Sequence, residues 1–173
     1  MVVLGLDLGT KGGFSRYDTI SGELFLGWNR WDKLEPAERC VAFGEWLEAV
    51  LEGTLTEIDG QVIRSGLEPV GVIGYEDVPF TGRGRSDYIA KQTGLLEYLG
   101  RRIAWRGVNV ATLKKFATGN GKAEKPTMIA AARYGIRELG SEPPEGLNDD
   151  MADAFLVTAW ILVNALKEWE GPV

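Results

Sequence analysis

At 173 residues and 45% apolar content, the chain is large enough to bury the core of one ordinary domain. It contains no histidine and a single cysteine, Cys40, which excludes histidine-based catalysis, an internal disulfide and a zinc site built from cysteine or histidine. The net charge of −6 is distributed unevenly: residues 83–125 hold ten Lys or Arg against three Asp or Glu, and the remainder holds nine against 22.

One basic surface on an acidic body suits a polyanion bound at a single face, although a solvated helix face would have the same composition. No uncharged apolar run reaches the length of about 18 residues that a membrane span needs. The first residues also lack the basic start of a signal peptide. We therefore expect a cytoplasmic protein with no membrane partner.

The first 52 residues are predicted to form three strands and a helix. Residues 2–8 are rich in Val and Leu and lead into a glycine turn, which is typical of a buried strand. Residues 14–20 and 23–28 predict two antiparallel strands joined by a tight hairpin. Apolar residues then recur at helical spacing over residues 35–52.

The rest of the chain alternates between strands and helices. The predicted elements are a strand over 69–75 that ends on Glu76, a helix over 86–102, a strand over 108–111, a turn or short helix over 112–116, a helix over 125–139, and a last helix from Asp149 or Asp150 to about Trp169. The order β-β-β-α-β-α-β-α-α matches an α/β fold of the ribonuclease H-like type, with a mixed five-stranded sheet flanked by helices. We expect residues 1–173 to form one domain, and residues 53–69 give no interpretable pattern.

Four carboxylates lie beside apolar segments, where an ionised group is costly to bury unless a cation compensates it. Asp7 and Glu76 each close a predicted strand, so they face each other if the two strands are neighbours. Asp150 and Asp153 stand at i and i+3 and share one face of the first turn of the last helix. These segments can enclose two divalent cations about 3.5–4 Å apart, the spacing used for in-line attack on phosphate.

Each acid also has a simpler explanation. Asp149 or Asp150 could cap the last helix, and Asp7 could cap a turn. Asp153, however, opens the apolar run 154–160 and is expected to be partly buried. The segment 113–125 places four lysines around a Gly-Asn-Gly turn, which is either a phosphate cradle or an ordinary surface loop.

Taken together, four motifs in this order resemble the RuvC family of Holliday junction resolvases across nearly the whole chain: residues 5–10 around Asp7, residues 76–80, residues 113–125, and residues 150–154. The resemblance implies a homodimeric crossover junction endodeoxyribonuclease of DNA recombination and repair, of bacterial or phage origin. Such an enzyme cuts four-way DNA junctions by paired symmetric nicks. It uses two Mg²⁺ or Mn²⁺ ions and no small-molecule cofactor.

The resemblance also implies roles for particular residues. Asp7, Glu76, Asp150 and Asp153 would be the metal ligands, with Asp149 leaving the register open by one residue. Lys114 and Lys125 would contact the scissile backbone or support catalysis. The other expected DNA-binding residues are Phe80, Arg83, Arg85, Tyr88, Lys91, Arg101, Arg102, Lys115 and Lys122.

Three alternatives remain. Residues 7–13 resemble the first phosphate loop of ATP-binding proteins of the actin and sugar-kinase type, but those proteins need two such domains. YqgF-type proteins share the Asp-x-Gly-Thr-Lys opening without the lysine-glycine loop or the Asp-x-x-Asp-Ala helix. A non-catalytic junction-binding module would keep the fold, but binding alone would not require clustered acids facing DNA.

Overall fold

The computed structural model describes residues 1–56, 62–78 and 85–166, without the side chains of Val62, Ile63, Arg85, Ser86 and Arg102. The strands are β1 (Val2–Asp7), β2 (Lys11–Asp18), β3 (Leu24–Arg30), β4 (Leu55–Thr56), β5 (Val62–Arg64), β6 (Val70–Asp77) and β7 (Ala104–Asn109). The α-helices are α1 (Pro36–Leu51), α2 (Arg85–Leu99), α3 (Val110–Thr118), α4 (Lys125–Glu138) and α5 (Asp149–Trp160). Within these ranges, no helix is both long enough and apolar enough to cross a lipid bilayer.

The five long strands form one mixed sheet in the order β3-β2-β1-β6-β7. The pairs β1–β2 and β2–β3 are antiparallel, and the pairs β1–β6 and β6–β7 are parallel. The short strands β4 and β5 pair with each other in a separate two-stranded sheet. The predicted mixed five-stranded sheet and the order of its strands and main helices are therefore confirmed.

Several predicted boundaries are wrong. The strand expected at 108–111 is β7, which ends at Asn109, because the Asn109 side chain accepts a hydrogen bond of 2.9 Å from the backbone N–H of Ala111 and caps α3. The uninterpreted segment 53–69 contains β4 and β5. The last helix changes to a π-helical turn over Ile161–Ala165, and its predicted end near Trp169 lies outside the described residues.

The two faces of the sheet are packed differently. On one face, large rings from α1 and the preceding turn fill the core: the Trp31 and Phe43 centroids are 5.4 Å apart and nearly perpendicular, and Trp46 lies against both. On the other face, α5 crosses β1, β2 and β6, and α4 packs behind it.

Helix α5 comes very close to the sheet because glycines face it. A Cβ on Gly5 would overlap the Ala154 carbonyl oxygen and the Thr158 hydroxyl, and a Cβ on Gly13 would overlap the Asp150 carbonyl oxygen. These two contacts fix the position of the helix along the sheet. The first turn of α5 therefore lies over the end of the β1–β2 pair.

Candidate functional site

Asp7 and Glu76 lie at the carboxyl ends of two neighbouring parallel strands. The register pairs Gly5 with Gly74 and Leu6 with Tyr75, and the two acids are the next residues on β1 and β6. Because side chains alternate across a strand, Asp7 and Glu76 share the face of Gly5 and Gly74, the glycines that contact α5. The sequence predicted that the two acids would face each other if their strands were neighbours, and β1 and β6 are neighbours.

The first turn of α5 carries the other two acids. Asn148, and neither aspartate, caps the helix, since its side chain accepts a 2.8 Å hydrogen bond from the N–H of Met151. Asp150 follows in the first turn, and its backbone contacts Gly13, the residue paired with Asp7 on β2. Asp153 lies one turn further, half-buried between two fully buried alanines, as expected from the sequence.

The electrostatics of Asp153 are unusual. Burial above all, and then the negative charges of Asp149 and Asp150, raise the pKa of its carboxyl to about 6 against the opposing effects of Lys125 and Lys114. Both lysines expected beside the acids therefore lie close enough to act on Asp153. Their positive charge is insufficient to keep the pKa of this carboxyl in its ordinary range. Additional positive charge at this point would favour the ionised carboxylate.

Lys125 and Asp149 form an ion pair that joins the first residue of α4 to the first residue of α5. The hydrogen bond between them raises the pKa of the Lys125 ammonium and lowers the pKa of the Asp149 carboxyl. Asp149 and Asp150 consequently have different surroundings. Asp149 faces α4, and the backbone of Asp150 contacts the sheet.

A polar cavity of about 350 Å³ lies beside the acids. Its walls are Thr10, Lys11, Trp28, Lys125 and residues 148–150. Trp28 is 41% exposed, and sequence reasoning missed it because it continues the alternation of Leu24 and Leu26 along β3, so it could not be distinguished from a core residue. Lys11 was assigned to the glycine turn and to the opening motifs of two alternative families, and was not predicted as a residue of this site.

Gln92 is a second residue that the sequence did not reveal. It is fully buried on α2, and its side-chain amide donates a 3.3 Å hydrogen bond to the carbonyl of Gly9. Gly9 belongs to the turn that follows Asp7. Gln92 therefore connects α2 to the backbone that positions the first acid, and no sequence periodicity indicates such a contact.

The donor chemistry of the site fits a hard divalent cation. All four candidate ligands are carboxylates, which Mg²⁺ and Mn²⁺ prefer. The raised pKa of the half-buried Asp153 carboxyl is also what a cation would reverse. In the described part of the chain, no three acidic, histidine or cysteine side chains form a ready-made ligand cluster.

The predicted DNA-binding residues differ in their exposure, and some lie outside the described structure. Phe80 and Arg83, and the side chains of Arg85 and Arg102, lie outside the described structure. Tyr88 is half-buried, and its hydroxyl donates to the Arg39 carbonyl at 3.1 Å. The exposed members of the set are Lys91, Arg101, Lys115 and Lys122. Their contacts with DNA remain predictions.

No protein-family model matches the sequence, and no curated protein sequence matches it. Solved structures do match the fold, and two of them are structures of RuvC. Thermus thermophilus RuvC has 20% identity, 97% coverage of both chains and a TM-score of 0.68. T. thermophilus RuvC in complex with a Holliday junction substrate has 19% identity, coverage of 97% of this chain and 96% of that one, and a TM-score of 0.70.

These matches define the class first: the chain has the α/β, ribonuclease H-like fold, with its mixed five-stranded sheet flanked by helices. Within that class it has the fold of RuvC over nearly its whole length. The resemblance predicted from the four motifs is thereby confirmed at the level of the fold.

Proposed function

We propose that this protein is a divalent-metal-dependent endonuclease that resolves four-way DNA junctions by paired symmetric nicks. The observation that carries the proposal is the placement of Asp7, Glu76, Asp150 and Asp153 at one end of one sheet face. The fold adds support, because one RuvC structure that this chain resembles contains a Holliday junction substrate.

In this proposal, Asp7, Glu76, Asp150 and Asp153 hold two Mg²⁺ or Mn²⁺ ions. When bound, such ions lower the pKa of a coordinated water and offset the charge that develops on the leaving 3′ oxygen. By holding the ions, the four carboxylates would fix the position of the positive charge and so orient the scissile phosphate. Asp150 is the proposed ligand in preference to Asp149, since the Asp149 carboxylate already pairs with Lys125.

Lys114 and Lys125 are the proposed phosphate-contacting residues. Both ammonium groups act electrostatically on Asp153, so they lie beside the acid end of α5. A positive side chain there can hold a phosphate oxygen and stabilise the negative charge of the transition state. The ion pair with Asp149 keeps Lys125 at the mouth of the site while leaving its side chain 75% exposed.

The DNA arms would be held through their phosphates by the basic segment, using Arg83, Arg85, Lys91, Arg101, Arg102, Lys115 and Lys122. Phe80 and Tyr88 are the proposed stacking residues. Binding through many phosphates would weaken steeply as salt concentration rises. Paired symmetric nicks require two sites, so we propose that residues 1–173 act as one nuclease domain within a homodimer.

The test is cleavage of a mobile four-way junction in Mg²⁺ and in Mn²⁺, with linear duplex as the substrate control. We expect the wild type to make paired nicks in the junction alone. Asp7→Asn should abolish cleavage and keep junction binding. The matched control is Asp18→Asn, since Asp18 lies at the opposite end of the β1–β2 pair and should be dispensable for cleavage.

Each other outcome points to a different conclusion. Wild-type protein that binds junctions but cuts nothing in either metal would establish the non-catalytic binding module instead. Equal loss of cleavage in both variants would mean that the Asp7 effect is a folding effect. Cleavage of linear duplex at the same rate would refute selectivity for junctions.

A further inference from the structure

Trp28 occupies an unusual position for an exposed indole. It pairs with Gly13 on β2, and Gly13 pairs with Asp7 on β1, so the three residues form a row across the sheet. Partners in antiparallel strands point to the same face, which places Trp28 on the face that carries the acids. Two strand spacings separate Trp28 from Asp7, a distance of roughly 10 Å.

One side of the Trp28 ring is already supported. The Arg30 guanidinium lies over the ring at 5.5 Å from its centroid. Two hydrogen bonds to the Asp32 carboxylate, of 3.2 and 3.0 Å, hold that guanidinium in place. The guanidinium therefore holds the indole ring in one orientation. Less side-chain conformational entropy is then lost when a planar group stacks on the free side of the ring.

The cavity beside Trp28 combines an aromatic wall with two lysines and two aspartates. Lys11 and Lys125 line it, and Asp150 and Lys125 belong both to this cavity and to the acidic site. An aromatic ring beside ammonium groups suits a nucleotide, whose base or sugar packs on the ring while its phosphate contacts a cation. A lone exposed tryptophan needs no explanation, but one that shares a cavity with lysines and aspartates of the proposed site does.

We propose that Trp28, with Lys11, binds the nucleotide adjacent to the cleaved bond, the indole stacking on its base or sugar and the ammonium contacting its phosphate. This inference rests on the proposed nuclease function and adds a substrate contact on β3, outside the basic segment. Trp28 thereby holds the strand so that the scissile phosphate lies at the acids. Its contribution is to substrate binding and positioning.

The test compares junction cleavage by wild type, Trp28→Ala and Trp28→Phe. The matched control is Trp105→Ala, because Trp105 is also 41% exposed but pairs with Ile73 and lies on the opposite face of the sheet. We expect Trp28→Ala to lower kcat/KM roughly 10- to 100-fold, mainly through KM, and Trp28→Phe to restore most of it. Trp105→Ala should match the wild type.

A second arm changes the DNA and needs no variant to fold. Junctions carry an abasic nucleotide on one side or the other of the cleaved bond. At one of these positions, the abasic nucleotide should lower the wild-type kcat/KM and remove the difference between wild type and Trp28→Ala. A wild type that tolerates both abasic positions, or a Trp28→Ala protein that cleaves normally, would overturn the inference while leaving the nuclease function intact. A wild type that cuts no junction would instead refute the nuclease function itself.

Discussion

The two faces of the central sheet use the same strands for opposite purposes. Toward α1, β1 and β2 present Leu4, Leu6 and Phe14, which pack with an aromatic cluster into a closed core. Toward α5, the same strands present Gly5 and Gly13, and the helix backbone takes the space that side chains would fill. One face provides stability through large side chains, and the other brings a helix start close to two strand ends.

A charged site can be built against a core when small residues let a helix start come close to the strand ends. Asp7 and Glu76 lie on the α5 face at the carboxyl ends of β1 and β6, and α5, which carries Asp150 and Asp153, begins beside them. At that end the glycines allow the first turn of α5 to approach the sheet. Asp153 is half-buried there, and burial raises the pKa of its carboxyl. Substitution of an acid on the α5 face should therefore mainly reduce activity. Substitution of a glycine under α5 should mainly reduce stability.

The largest expected effect comes from adjacent acids on opposite faces of β6. Glu76→Gln should reduce junction cleavage by on the order of 10²–10³-fold, since it removes a charge from the proposed metal-binding face. Asp77→Asn, one residue further and on the other face, should leave the cleavage rate nearly unchanged. Single-turnover cleavage of the four-way junction measures both. Equal losses in the two variants would contradict the assignment of the site to one face.

A side chain added in the space between β2 and α5 should have a smaller effect, and this effect should be on stability. Gly13→Ala should lower the free energy of unfolding by about 3 kcal/mol, because its Cβ would collide with the backbone of Asp150. Gly94→Ala on α2 is the matched control: nothing lies within 4 Å of its Cβ, and the change should be neutral or slightly stabilising. Urea unfolding measures both. A Gly13→Ala protein of unchanged stability would mean that α5 does not need this close approach.

The smallest effect concerns the pH dependence of the metal-free protein. The folded-state pKa of Asp153, about 6, lies above the ordinary value of 3.8, so between these values the folded chain holds a proton that the unfolded chain has released. Stability from this group is therefore present below about pH 4 and lost as pH rises to about 6. Asp153→Asn removes that loss and should be more stable than wild type by about 1–2 kcal/mol at pH 7.5, with little difference at pH 4.

Urea unfolding in the presence of a chelator measures this difference. Adding Mg²⁺ at pH 7.5 should stabilise the wild type and have much less effect on Asp153→Asn, because the variant lacks one proposed ligand. A difference between the two proteins that is the same at pH 4 and pH 7.5 would show that Asp153 is not a buried, titrating carboxyl.

Local chemistry explains why much of the fold could be predicted. Val-rich and Leu-rich runs, helical periodicity and glycine turns identified every long strand and the main helices, because these signals depend on nearby residues alone. A single side chain decided one strand boundary that was predicted wrongly and the identity of one helix cap. The Asn109 side chain ends β7 by capping α3, and the Asn148 side chain caps α5, where Asp149 or Asp150 had been considered.

The candidate site, like the fold, could be predicted only in part from local patterns. Local patterns placed Asp7 and Glu76 at strand ends and Asp150 and Asp153 at the start of an apolar helix, and the composition excluded histidine chemistry. Tertiary contacts make β1 and β6 neighbours, place α5 on the acid-bearing face, bring Trp28 into the cavity beside the acids and join Gln92 to the Gly9 carbonyl. The reason is physical: strand order and helix placement depend on contacts between residues far apart in the chain, which local patterns do not encode.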